Sequence, residues 1–86
     1  KVLITNPIDD AGIERLRESG HDVETAYDLT GEALLEAVGD VHALVVRSGT
    51  DVTEAVFEAA PGLVIVGRAG IGVDNIDIDA ATDHGV

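Results

Sequence analysis

Cysteine, methionine and tryptophan are absent from this chain, and its aromatic side chains are limited to Tyr27 and Phe57. Without cysteine there are no disulfides and no thiol nucleophile. Two aromatic rings offer no platform on which successive bases could stack, which argues against a nucleic-acid surface. Positive charge is nearly as scarce: 5 basic side chains, Lys1, Arg15, Arg17, Arg47 and Arg68, stand against 17 acidic ones, for a net charge of −12. A surface of that sign repels phosphate backbones and anionic lipid alike, so neither nucleic acid nor membrane is an expected partner. No apolar run approaches the ~20 residues a membrane helix needs, and no signal-peptide pattern opens the chain; the expectation is a soluble, cytoplasmic protein. Lysine occurs once while Asp and Glu cover the expected outer faces. A salt-adapted, halophilic surface is expected, because self-repulsion on this scale weakens the compact state unless ions screen it; the alternative is an ordinary acidic protein kept soluble by its net charge.

What the chain has in quantity is small and branched apolar residues, with a hydrophobic fraction of 45%. A unit of this length hides only roughly 60 to 65% of its extended surface, so it forms one domain or part of one. Short apolar runs alternate with helix-like segments: VLIT from Val2, DAGIERLRES, DVETA, GEALLEAVG, ALVVR from Ala43, TEAVFEAA, LVIV from Leu63, and DIDAATDHG. Runs such as ALVV and LVIV lack polar alternation, as strands buried on both faces of a parallel sheet do. The rhythm predicts an α/β fold, a doubly wound parallel sheet of four strands and four helices. Asp10, Thr30, Thr53 and Asp77 are placed to cap the four helices, with Ile13 and Leu16 of the first facing inward. Gly20, Pro61 and Gly85 are placed to end the first, third and fourth. Four strands with no fifth leave an edge unpaired and part of a face bare, so the sheet is expected to be an incomplete piece of a longer polypeptide.

In open parallel sheets ligands bind outside the carboxyl ends of the strands. Asn6 and Pro7, the run Arg47-Ser48-Gly49-Thr50, and the run GRAGIGVDN from Gly67 to Asn75 all fall on that edge. The glycine run is not a dinucleotide fingerprint: from Gly70 it reads G-I-G-V-D-N, with Asn75 where the third glycine belongs and the next helix starting only after Asp77. Its exposed amides still suit a small anion, or else form a plain strand-to-helix turn. Arg47 and Arg68 each end a strand, and a guanidinium can hold a carboxylate or phosphate by two parallel hydrogen bonds. The alternative is that either arginine pairs with Asp74, Asp77 or another nearby carboxylate and only fixes its loop. His21, His42 and His84 lack metal spacing, no metal site is expected, and no serine has a base beside it, so no catalytic residue is assigned.

The stretch VVRSGTDVT, followed by LVIVGRAGIGVDNIDIDAATDHGV, resembles the D-isomer-specific 2-hydroxyacid dehydrogenases. The resemblance implies that residues 1–86 are part of a flavodoxin-like substrate-binding domain, the nucleotide-binding domain and its catalytic groups lying outside this chain. It implies NAD as cofactor, held mainly by that other domain, and the oxidation of 3-phosphoglycerate to 3-phosphohydroxypyruvate at the head of serine biosynthesis. By resemblance the Gly70, Ile71 and Gly72 backbone receives the substrate carboxylate, and Ile71 also lines the nicotinamide end of the cleft. Arg47, Ser48, Arg68 and Asn75 match positions near the substrate. Implied partners are a phosphorylated hydroxyacid and the rest of the enzyme chain or a second copy. The contrasting reading is a stand-alone module that binds a small anion or a protein without chemistry. A receiver domain is set aside, because its phospho-accepting aspartate would have to stand where Arg47 does.

Overall fold

The computed structural model describes residues 1–27, 29–47, 49–69 and 75–86. In chain order the elements are β1 (Val2–Ile4), α1 (Asp10–Glu18), β2 (Val23–Thr25), α2 (Gly31–Ala37), β3 (Ala43–Val46), α3 (Glu54–Ala59), β4 (Ile65–Arg68) and α4 (Ile78–Asp83). The strands form one sheet in the order β2-β1-β3-β4, every pair parallel. This is the expected α/β architecture, and the order is the flavodoxin-like one as far as four strands take it.

Side-chain alternation divides the apolar residues between the two faces. Leu3, Leu44 and Val46 point to one side, where they meet Leu34 of α2, Val38 at its C-cap, Val56 and Phe57 of α3, and Ala80 and Ala81 of α4. Val2 and Ile4 point to the other, against Ile13 and the half-buried Leu16 of α1. Phe57, 2% exposed, is the largest side chain in the core and stacks on His84 with centroids 5.9 Å apart. Truncating such a ring costs about 3 to 5 kcal/mol, which makes Phe57 the anchor of the three-helix side.

The helix ends are set locally. Asp9, not Asp10, caps α1: its Oδ1 accepts from the Ala11 amide at 3.1 Å, and Asp10 becomes the first helical residue, where its charge still favours the positive end of the dipole. Thr30 and Thr53 occupy the cap positions of α2 and α3 without a side-chain cap bond, whereas Asp77 caps α4 by accepting from the Ala80 amide at 3.0 Å. Gly20 takes φ 90°, the left-handed step that lets the chain turn back from α1 while His21 N–H reaches Leu16 O at 3.2 Å.

The fourth strand departs from expectation in register. The ladder pairs Ala43 with Ile65 and Val46 with Arg68, so the strand runs two residues later than the apolar run Leu63–Val66. Leu63 is held back by the turn that ends α3, its amide bonded to Ala60 O at 3.1 Å, and it buries itself in the larger core instead. The strand is also not buried on both faces. It lies at the sheet edge, and Val64 and Ile65 are 68% and 58% exposed. Among the described residues only α1 packs on that face, and α1 sits over β1 and β2.

Candidate functional site

The carboxyl ends of β1, β3 and β4 lie side by side, because β3 is hydrogen-bonded to both of the others. The chain leaving each strand is tied to its neighbours by side chains. Beyond β1, Thr5 and Asn6 are buried; the Thr5 hydroxyl meets that of Thr50 at 2.9 Å, and Asn6 Oδ1 accepts the Arg47 amide at 2.8 Å. Beyond β4, Arg68 Nε donates to Asn75 Oδ1 at 2.5 Å. Asn75 Nδ2 in turn donates to Arg47 O at 2.6 Å and Thr50 O at 2.5 Å. A lone parallel bridge between Val52 and Ile76 carries the pairing past the sheet and anchors the backbone on either side, with Val52 N–H on Asn75 O at 2.8 Å and Asp77 N–H on Val52 O at 2.9 Å.

Arg47 itself is exposed, and its Nη1 reaches only Pro7 O at 3.4 Å. Among the described residues it has no carboxylate partner; the ion pairs join Lys1 to Glu24 and Asp40 at the opposite end of the strands. A permanently charged fork therefore stands in solvent on a backbone fixed by Asn6 and Asn75, which is the form of an anion-holding group. Arg68 is half-buried, with its Nε turned toward Asn75.

The structure brings together Arg47, Arg68 and Asn75 of the sequence-expected set. Ser48, Gly70, Ile71 and Gly72 lie outside the described residues. Thr5 and Thr50 were missed as a pair, since each closes an apolar or polar run without a local signal; Asn6 was noted only for its position after β1. A cavity of about 280 Å³ opens beside the same turn, lined by Leu29, Thr30, Leu34, Thr50, Thr53 and Val56 among others. No group of His, Asp and Glu among the described residues could hold a metal ion, and His42 and His84 are engaged elsewhere, with the Lys1 amino group and the Phe57 ring. Among the described residues no helix is long and apolar enough to cross a membrane.

The all-parallel sheet thus carries, at the carboxyl ends of its strands, an exposed arginine on a turn braced by two asparagines. The chain belongs to the D-isomer specific 2-hydroxyacid dehydrogenase family, whose catalytic-domain profile matches residues 2–86. Within that family it is similar to D-3-phosphoglycerate dehydrogenases. It is 54% identical, over 99% of its length, to the chloroplastic D-3-phosphoglycerate dehydrogenase 2 of Arabidopsis thaliana and covers 14% of that protein. It is 52% identical, over 100% of its length, to the D-3-phosphoglycerate dehydrogenase of Methanocaldococcus jannaschii and covers 16% of it. Among solved structures, the NAD⁺-bound 3-phosphoglycerate dehydrogenase of Entamoeba histolytica superposes with a TM-score of 0.86 at 27% identity, over 99% of this chain and 30% of that one. The chain thus spans 14 to 30% of the length of these relatives.

Proposed function

We propose that this chain is the substrate-binding part of an NAD-dependent dehydrogenase that oxidises 3-phosphoglycerate to 3-phosphohydroxypyruvate in serine biosynthesis. The observation that carries this reading is Arg47: a guanidinium exposed at the ligand edge, without a carboxylate partner among the described residues, on a turn braced by Asn6 and Asn75. Such a group binds one anionic end of the substrate and orients it, while Arg68 and the backbone of Gly70, Ile71 and Gly72 serve the same cleft, with Ser48 beside Arg47. The hydride and the hydroxyl proton leave the substrate through groups that other parts of the enzyme supply; no catalytic residue is assigned here.

The residues present do not fit the pyrophosphate of a dinucleotide. The helix that follows the glycine run has only six residues, and its first amides face the Asp77 carboxylate, which takes the Ala80 N–H at 3.0 Å and would repel a phosphate. NAD is therefore assigned to a second domain, Ile71 touching at most its nicotinamide end. The exposed Ile65 of the edge strand and Val64 just before it support a companion reading, that the rest of the polypeptide or a second copy covers this edge.

The test is Arg47→Ala in the full-length enzyme. Loss of one charge-assisted contact, about 1.5 to 3 kcal/mol, raises the KM for the hydroxyacid roughly ten- to hundredfold while the KM for NAD holds. A normal hydroxyacid KM in a folded variant would return Arg47 to a purely structural role.

A further inference from the structure

We infer that Asn75 is a positioning residue that locks the two strand-end arginines into one unit and makes no contact with the substrate itself; this rests on the anion-site reading of Arg47 and Arg68. A carboxamide has two N–H donors and one oxygen acceptor. Both donors of Asn75 are committed to backbone, on Arg47 O at 2.6 Å and Thr50 O at 2.5 Å, and its oxygen accepts from Arg68 Nε. An anion is recognised by donors, and Asn75 has none left; what its oxygen still offers is a lone pair, which repels one. The amide orientation follows from the partners. Turned over, it would set an oxygen against two carbonyls and an NH₂ against a guanidinium N–H.

The same three bonds define what the side chain does. Its own backbone is fixed through Val52, on both the Asn75 carbonyl and the following Asp77 amide. From that base it reaches β4 through the Arg68 side chain and the β3–α3 turn through two carbonyls. Asn6 grips the turn from the other side, through the Arg47 amide. Arg47 is thus clamped at its N–H by one asparagine and at its C=O by another, and only the second asparagine is also bonded to Arg68. Withdrawing Asn75 removes one bond at each arginine at once, the Arg47 C=O contact and the Arg68 Nε contact, and binding groups displaced by about 1 Å lose much of their effect.

The experiment is a set of mutant cycles in the full-length enzyme, read as steady-state KM for 3-phosphoglycerate and for NAD beside melting curves. Asn75→Ala is expected to raise the hydroxyacid KM about tenfold, the worth of a lost hydrogen bond, and to leave the NAD KM within about twofold. In an Arg47→Ala, Arg68→Ala background the same substitution should change the hydroxyacid KM by no more than about twofold, because nothing remains to be positioned. An undiminished tenfold effect there means direct contact with the substrate and overturns the inference. So does a lowered melting point with an unchanged KM, the mark of a merely structural residue. If Asn75→Ala does not fold, Asn75→Leu, uncharged and similar in volume, removes the same three bonds, and a penalty that persists undiminished in the double-arginine background refutes the assignment. A double-arginine variant with a normal hydroxyacid KM defeats the anion-site reading itself, a result distinct from every Asn75 outcome, and the inference falls with it.

Discussion

Adding one methyl group at Gly49 should disturb the site through Asn6. A Cβ built on Gly49 lies 2.8 Å from Asn6 Nδ2 and 3.4 Å from Asn6 Cγ, and nothing else is as near. Ordinary van der Waals contact starts at 3.4 Å, so the amide must retreat by several tenths of an ångström. Asn6 is poorly placed to do so, being 6% exposed with its Oδ1 on the Arg47 amide at 2.8 Å. Overpacking of this kind costs about 1 to 3 kcal/mol, and the strained or broken hydrogen bond about 0.5 to 1.5 more, so Gly49→Ala should destabilise by about 2 to 4 kcal/mol. Urea unfolding measures this as a fall in midpoint with an unchanged slope. The origin is checked by Asn6→Ala, which orphans the Arg47 amide and costs about 1 to 3 kcal/mol alone. In that background Gly49→Ala should add no more than about 0.5 kcal/mol, since the obstructing amide is gone. If the two costs simply add, the clash with Asn6 is not the cause and the reasoning fails.

Three further outcomes are expected. Thr5→Val leaves the Thr50 hydroxyl, 2% exposed, without its partner and should cost about 1 to 3 kcal/mol, whereas Thr5→Val with Thr50→Val should be less damaging than either single change; a double variant worse than both would refute the pairing. Lys1 Nζ, 3.1 Å from Asp40, holds that carboxylate below its ordinary 3.8 by hydrogen bonding, so the pair's contribution is present above the unfolded value and disappears as pH falls through the lower folded one. In an NMR titration Lys1→Ala should move Asp40 back up, and an unmoved midpoint would reject the pair. The net charge of −12 predicts a higher melting temperature in molar potassium chloride, where the Debye length shrinks to ~3 Å; equal melting points in dilute and molar salt would dismiss salt adaptation.

The architecture was legible because it depends on period and punctuation. Apolar runs such as Ala43–Val46 and glycines such as Gly20 act over a few residues, and the sheet and helix ends follow from them. The exact start of β4 was not legible, because Leu63 is as apolar as Ile65 and only the ladder with β3 distinguishes a residue in the sheet from one tucked under α3. Asp9 and Asp10 were likewise equivalent in composition, and one residue of backbone phase decided which became the cap. Arg47 was picked out of the candidate site by its charge at a strand end. Asn75 was picked out only by resemblance, because its three bonds run to residues distant in the chain or seven positions back, and no local pattern encodes them. The Thr5–Thr50 bond is of the same kind.

The central place of β1 has a consequence in time as well as in space. Its partners are Val23–Thr25 on one side and Ala43–Val46 on the other, so the strand that ends with its side chains most completely hidden is made before either neighbour exists. At about 5 to 20 residues per second the ribosome takes seconds to deliver them, Val23–Thr25 first, and until Ala43–Val46 follows one border of Val2–Ile4 has no native partner. Slow codons before Ala43 lengthen the exposure of that nascent segment; slow codons after Val46 fall when both partners of β1 have already been made.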